Sequence, residues 1–509
     1  MDDDLSLSSA LFQHYVEYFS APGIAITVAL VVGPLLYGLL KDTRFNATSG
    51  AGSPIPGCRR FGLRDGRSNL KDQYRHNAAT ATQSISKPRV KALFTYPVKS
   101  CHGIELPASE VDTTGLRYDR MFTFAQLQSK QADPNGMDET TAEWQHQWRF
   151  ITAREHPRLA LLKTELWLPD SRLTAQAGAS TQTKSNSDHT NETTFGLGRS
   201  RSRNRKGTLV LESAGIDADK RRKSSLSLAT SDWVANGGCL VVSFPFEPDW
   251  NPLGLRTETI TIKIPLVPTV ERAEAKQYSK EDVTVWQDSP NAFNMSNEID
   301  HAALEKLRYF LGVSKPLALF RRDDEQLRAV TRHLPKNLAD GRFQIGFSDS
   351  YSGHILSIPS VRALDNALPN DASMKDHLDA RRFRANIYLE GTRAFEEDDW
   401  QRIAVGRSLR ERRDFKAPSG TMATDFADGS RASKAEWMLG CQTSRCTLPN
   451  VDPDTGVKDR NEPYTTLNRT RRVDKNDPTK AVLGMQVVPL FEHGLIRVGD
   501  EVDVLPRAT

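Results

Sequence analysis

"RVKALFTYPVKS", residues 89–100, sets the reading of the fold. Val90, Ala92 and Phe94 alternate with outward positions until Pro97 ends the run, which is the period-two signature of a strand. The same signal recurs along the chain. "GLRYDRMFTFAQ" (115–126), "WRFITAREHPRLALLKTELWL" (148–168), "GTLVLES" (207–213), "CLVVSFPF" (239–246), "ETITIKIPL" (258–266) and "DVTVWQD" (282–288) supply further strands broken by turn residues. "NEIDHAALEKLRYFLG" (297–312) carries Ile299, Ala302, Ala303, Leu307 and Phe310 at helical spacing and stops at Gly312. Beyond it come a strand "HILSI" (354–358), a helix "SVRALDNAL" (360–368), strands "FRANIYLEG" (383–391) and "WQRIAVG" (400–406), and the alternating "LIRVGDEVDVL" (495–505), expected as one closing barrel strand. Short strands and few helices predict a β-rich α+β fold built from β-barrels, not a doubly wound sheet.

Composition narrows the function classes. A chain of 509 residues with 38% hydrophobic content can fill more than one core, and its net charge of +4 is too small for a dedicated nucleic-acid binder. Five scattered cysteines suit a reducing compartment better than a disulfide framework. "PGIAITVALVVGPLLYGLL" (22–40) is an uncharged apolar run preceded by "MDDD" and followed by Lys41, Arg44, Arg59 and Arg60. A signal peptide carries basic residues ahead of its apolar run, so this one reads as a single transmembrane anchor with the body on the cytosolic side. The reading divides the chain into a tail (1–21), the anchor (22–40), a flexible Gly/Ser/Ala/Arg-rich linker (41–88), a first domain (89–312) and a second (313–509). Disordered inserts are expected near 170–206, ending in "GRSRSRNRK", and near 217–227, containing "KRRKSS"; without aromatics for base stacking they read as surface loops.

Phosphate-cradling and dinucleotide glycine loops, H-E-x-x-H and the G-x-S-x-G elbow are missing from the sequence. What remains is a set of cationic and amide groups at strand ends and the pair Cys441 and Cys446. A zinc half-site of C-x4-C form would need two more ligands, with His493 the nearest later candidate. A disulfide is opposed by a cytosolic setting, and a plain buried thiol is the simplest reading of Cys441. Cys446 follows Ser444 and Arg445, and a neighbouring cation favours a thiolate, a soft ligand for copper, iron–sulfur clusters or molybdenum.

"SRCTLPNVDPDTG" (444–456), "NEPYTTL" (461–467) and "GLIRVGDEVDVL" (494–505) resemble the end of a MOSC domain. "YPVKSCHGIEL" (96–106), "GLRYDRMF" (115–122) and "ITAREHPRL" (151–159) are similar to the MOSC amino-terminal β-barrel; "IGFSDSYSGHILS" (345–357) and "FRANIYLEG" resemble the middle of the catalytic domain. Together these motifs resemble the mitochondrial amidoxime-reducing components. That resemblance implies a MOSC amino-terminal barrel over 89–312 and a MOSC domain over 313–509. It implies the molybdenum cofactor, with Cys446 as catalytic metal ligand. Lys99, Ser100, Arg120, Arg384 and Asn386 would hold the pterin and phosphate, with Ser444 and Arg445 beside the metal. Ser350 and Tyr351 replace the family's small hydroxyl pair that faces the cofactor. It implies reduction of amidoximes and hydroxylamines with electrons from a b-type cytochrome and its NADH-dependent flavin reductase, on the outer mitochondrial membrane or, as the alternative membrane, the endoplasmic reticulum. A cofactor-binding or sulfur-carrier role without redox turnover is the rival reading; a sulfurase would also need a pyridoxal-phosphate lyase domain, for which residues 1–86 are too short.

Overall fold

The computed structural model describes residues 54–64, 66–74, 87–131, 144–173, 231–247, 257–331, 334, 341–407 and 434–506, with Leu30 and Gly33. Two compact units are present: Met1–Pro54 with Pro245–Ile260, and Ile55–Phe244 with Thr261–Thr509. The second holds both barrels. The expected anchor at 22–40 lies outside the described residues apart from Leu30 and Gly33. Among the described residues no helix is long and apolar enough to cross a membrane. The polar inserts lie outside them too, except for 170–173, as does the expected strand 207–213.

Five strands form a closed barrel in the order Ser279–Thr284, Asn291–Asn294, Leu317–Arg322, Phe122–Gln131, Trp144–Phe150. Its interior is filled by Ala125, Phe150, Val283, Ala292, Ala318, Phe320 and Phe347, as expected of a small barrel whose inward residues form the core. A second, larger sheet runs Ile387–Glu390, Gly353–Ser357, Val482–Pro489, Ala435–Ser444, Arg402–Gly406, Glu501–Leu505, Arg89–Thr95, with Ile104–Leu106 appended. Pairing of Arg89–Thr95 back onto Ile387–Glu390 closes the ring. The two sheets exchange strands across position 312. Arg89–Thr95 from the amino-terminal side completes the larger ring, and Leu317–Arg322 from the other side completes the smaller one.

Three local readings are corrected. The linker expected over 41–88 is folded in part: Cys58–Phe61 pairs antiparallel with Lys163–Pro169, Leu70 is buried in the larger core, and the Gln73 side chain accepts from Ala380 N at 2.8 Å. A four-residue strand offers too little periodicity to be read. "LIRVGDEVDVL" is not one strand. Gly499 turns the chain at φ +89° and Asp500 accepts from Arg497 N at 2.8 Å. His493–Arg497 therefore pairs with Ala108–Asp112, and Glu501–Leu505 with Arg402–Gly406. The helix read from 297 begins at His301, because Asp300 accepts from Ala303 N and caps it.

Gly353–Ser357 and Ile387–Glu390 run parallel, so a crossover must join them. The helix Ile358–Ala367 supplies it, capped by Ser357 and buried through Val361 and Leu364. The strand Arg89–Thr95 carries Ala92, Leu93 and Phe94 buried. Burial on both faces follows from its place inside the ring, where simple alternation no longer holds.

Tyr351 is 2% exposed and packs with Val330, Phe343, Ile345, Met438 and Val488. A Cβ at Gly440 would stand 2.1 Å from its hydroxyl and 2.4 Å from the ring. Gly440→Ala is expected to cost about 1–3 kcal/mol of stability by overpacking, measured by chemical denaturation. Combined with Tyr351→Ser, the loss should be smaller than the sum of the two single losses; strict additivity would show that the two side chains do not compete for this space.

Candidate functional site

Strand Arg89–Thr95 ends in a loop that folds back on the segment 117–122. Lys99 N donates to Phe122 O at 2.8 Å, Phe122 N to Pro97 O at 2.9 Å, and Arg120 N to Tyr96 O at 2.8 Å. Phe347 N then donates to Arg120 O at 3.2 Å, bringing in the loop that follows the strand Gln344–Ile345. Ser100, Tyr118, Arg120 and Arg384 all have φ between 47° and 67°. They are four of the eight non-glycine residues in the left-handed region among those described. Such strain costs of order 1–3 kcal/mol per residue and collects at functional sites.

Arg120 and Arg384 lie over one aromatic ring, their guanidinium carbons 4.5 and 4.3 Å from the Tyr96 centroid. Arg120 donates to the Asp119 carboxylate, to Asn386 Oδ1 at 3.1 Å and to Arg384 O at 3.2 Å. Asn386 Nδ2 donates to Phe94 O at 3.1 Å and to Asp119 Oδ1 at 3.0 Å, while its Oδ1 also accepts from His354 N at 3.2 Å. Two N–H groups and two lone pairs exhaust an amide side chain. Asn386 thus positions Arg120 instead of offering an edge to a ligand.

Arg384 is different. One nitrogen donates to Cys101 O at 2.8 Å, but its buried Nη2 has no hydrogen-bond partner among the described residues. Burial depresses its pKa, and a buried charged donor left unpaired costs more than the 1–3 kcal/mol of a neutral one. Lys99 is buried too. It donates to Phe347 O at 2.8 Å and to Asp349 Oδ1, stands 5.2 Å from the Phe150 ring, and burial pulls its pKa down.

Arg445 is fixed by carbonyls, donating to Leu483 O through Nε at 3.0 Å and to Phe383 O at 2.9 Å. Its Nη2 also meets His354 Nε2 at 2.6 Å. Burial brings this guanidinium down to about 10. Burial and the facing Arg445 hold His354 far below its usual range, so the imidazole is a neutral acceptor. Cys446 comes next, a half-buried free thiol. The short helix after it is clamped by Arg382, which donates to Pro449 O and Asn450 O at 3.3 Å and to Asp452 Oδ2 at 2.6 Å. Asp452 in turn accepts from Asp454 N and Thr455 N at 3.0 and 2.9 Å, closing the "VDPDTG" loop.

Arg120 and Arg445 are thus joined through Asn386 and His354, Arg384 shares the Tyr96 ring with Arg120, Lys99 meets Arg120 across Phe347, Ser100 follows Lys99, and Cys446 follows Arg445 in the chain. Ser444 is exposed at the end of its strand, Ser350 is half-buried beside Asp349, and Tyr351 lies in the apolar core. None of the five cysteines forms a disulfide, and among the described residues no three His, Cys, Asp or Glu side chains form a metal cage. Zinc and disulfide readings of Cys441 and Cys446 gain no support; Cys441 packs against the cluster of Tyr351 and Val488. Tyr96, Asp119, Asp349, His354 and Arg382 were not picked out from sequence. Of these, only Arg382 carried a visible signal, inside the charge run "ARRFR" (380–384).

Can these residues hold an anionic cofactor? The chain offers a buried guanidinium donor with no acceptor, two further buried cations, a cation fixed beside a free thiol, and strained backbone that aims them. Such a donor set suits a phosphate-bearing, sulfur-liganded metal group. Residues 87–204 match the MOSC N-terminal beta barrel domain family and residues 342–503 the MOSC domain family. Together they span more than half of the 509 residues. The chain is a MOSC-domain protein with a MOSC amino-terminal barrel ahead of it. Among individual proteins, it is similar to mitochondrial amidoxime-reducing component 1 of Homo sapiens, 30% identical over 185 residues, covering 36% of this chain and 45% of that protein. The mouse component 1 is 28% identical over 187 residues, covering 36% and 43%. The rat component 2 is 29% identical over 208 residues, covering 39% and 51%. The matched stretch thus spans about half the length of these relatives.

Two outcomes follow from this geometry. Asp119→Ala leaves Arg120 buried without its carboxylate and is expected to cost about 3–5 kcal/mol in a denaturant titration; a loss under 1 kcal/mol would mean the pair is not desolvated. Burial, with help from Arg381, pulls the His102 imidazole down to about 4. Between pH 6.5 and 4 the unfolded chain takes up a proton that the native chain refuses. Stability from this group is complete above pH 6.5 and declines as pH falls, by at most ~1.4 kcal/mol per unit. His102→Gln should flatten that part of the stability–pH curve.

Proposed function

We propose that this chain is a molybdenum-cofactor oxidoreductase that reduces N-hydroxylated compounds, amidoximes and hydroxylamines. The observation that carries the reading is the buried, unpaired Nη2 of Arg384, which shares the Tyr96 ring with Arg120, together with Arg445 fixed immediately before the free thiol of Cys446. The names of the relatives point to the same chemistry.

Lys99, Ser100, Arg120 and Arg384 hold the cofactor's phosphate and pterin through charge-assisted hydrogen bonds. Cys446 is the protein's ligand to the metal. Arg445, immobilised by Leu483 O, Phe383 O and neutral His354, keeps a positive charge next to Cys446 in the chain. Asn386 and Asp119 set the angle of Arg120, and Arg382 holds the loop behind Cys446. Such surrounding groups tune a metal centre as much as its direct ligands do. When bound, the cofactor supplies the two-electron chemistry that takes oxygen from nitrogen. Electrons come from a b-type cytochrome and its NADH-dependent flavin reductase. The outer mitochondrial membrane is the proposed location, supported by the relatives' names and by the apolar run 22–40 with basic residues behind it.

The test is turnover of benzamidoxime with NADH, the flavin reductase and the b-type cytochrome supplied. Cys446→Ala should reduce turnover to background while its thermal midpoint stays near that of the unaltered chain. Full turnover in that variant refutes the assignment.

A further inference from the structure

Trp286 occupies the first central position of the two-residue turn between Val285 and Asp288, closed by Val285 N to Asp288 O at 2.7 Å and Asp288 N to Val285 O at 3.1 Å. Its φ is +59°. A tight hairpin normally places glycine where a central residue must be left-handed, and a bulky aromatic there is a true outlier. It is also 43% exposed. An exposed indole held at a backbone position that disfavours it calls for a reason outside the core.

Its neighbours tie it to the site. The indole Nε1 donates to Asp349 Oδ1 at 3.0 Å, and Lys99 donates to the same oxygen. The Trp286 ring meets Phe150 edge-on at 5.1 Å, and Phe150 is the ring beneath Lys99. Arg154 stands 5.4 Å from the indole centroid. Arg328 fixes this arrangement from behind, donating to Asp288 Oδ2 at 2.8 Å and to Ser348 O at 2.8 Å. The Trp286 hairpin and the 346–349 loop are thus tied together by hydrogen bonds. Asp349 Oδ2 receives no hydrogen bond from the described residues, and the Asp349 carboxyl is 63% exposed.

We infer that Trp286 and Asp349 form the substrate-selecting edge of the site and favour planar aryl amidoximes. The indole face packs on the substrate's aromatic ring, and Asp349 Oδ2 accepts an N–H of its amidoxime group. An aromatic surface with one placed polar acceptor is the usual make-up of a small-molecule site, and aromatic pairs add stabilisation beyond their buried area. A hydroxylamine without a ring gains nothing from Trp286. Trp286 is a specificity residue here, not a holder of the cofactor. The inference rests on the proposed reductase reading.

The experiment titrates benzamidoxime into the full chain by calorimetry with no electron supply, comparing wild type, Trp286→Ala and Trp286→Phe. Trp286→Ala should weaken binding about tenfold, and Trp286→Phe should recover most of it, with thermal midpoint and molybdenum content equal in all three. With electrons supplied, Trp286→Ala should lower kcat/KM for benzamidoxime relative to that for hydroxylamine by a similar factor. Unchanged benzamidoxime affinity in Trp286→Ala overturns the inference, as does an equal loss for both substrates. A wild-type chain that binds benzamidoxime but reduces neither compound overturns the reductase reading instead, and the binding comparison still decides the role of Trp286.

Discussion

Burying several cations in one place is tolerable only if each is paired or an anion is to come, and that constraint shapes this molecule. Asn386 is the joint that enforces it. Its amide spends every hydrogen bond it has on Phe94 O, Asp119, Arg120 and His354 N. Those partners stand on three different segments, so one buried side chain fixes the Arg89–Thr95 strand, the Tyr118–Arg120 turn and the Gly353–Ser357 strand against each other. Arg120 is satisfied by that joint. Arg384, two residues away, is left with an unpaired nitrogen. The contrast leaves Arg384 with the freer donor of the two.

Backbone conformation follows the same logic. Ser100, Tyr118, Arg120 and Arg384 accept left-handed dihedrals that would ordinarily fall to glycine. Main-chain bonds among 96–101, 117–122 and Phe347 surround the first three, and Arg384 N donates to Arg381 O at 3.0 Å. The exchange of strands between the two barrels makes this possible. Arg89–Thr95 belongs to the larger ring, and the loop it enters lies against the smaller barrel through Val98 and Phe122. The cations are thus presented where the two closed sheets meet within one compact unit.

Much of this was legible in the residues. Alternation announced most of the strands, Gly312 marked the end of its helix, and "YPVKS", "YDRMF", "FRAN" and "SRC" supplied the cations that the fold links through Tyr96, Asn386 and His354. What escaped was non-local. Position 312 reads as a domain boundary because a helix ends there, whereas strand membership depends on pairings hundreds of residues apart. "LIRVGDEVDVL" alternates as if continuous, since a turn at Gly499 and Asp500 leaves the hydrophobic period intact. Asn386 read as a ligand donor through the family resemblance of "FRAN", and nothing in the sequence signals that its amide is already spent. Tyr351 read as pocket-facing, and only the missing side chain at Gly440 explains why its ring lies in the core. Trp286 passed as one more strand residue, because left-handed dihedrals leave no trace in composition when the residue is not glycine.

A molybdenum-bearing pterin is the proposed occupant of the cations linked through Tyr96, Asn386 and His354. Molybdenum and pterin should be measured together on the full chain purified from a host that makes the cofactor. Near-stoichiometric amounts of both, lost together when Arg384 is replaced by Met, are the expected result. A well-folded wild-type chain that carries neither would contradict it.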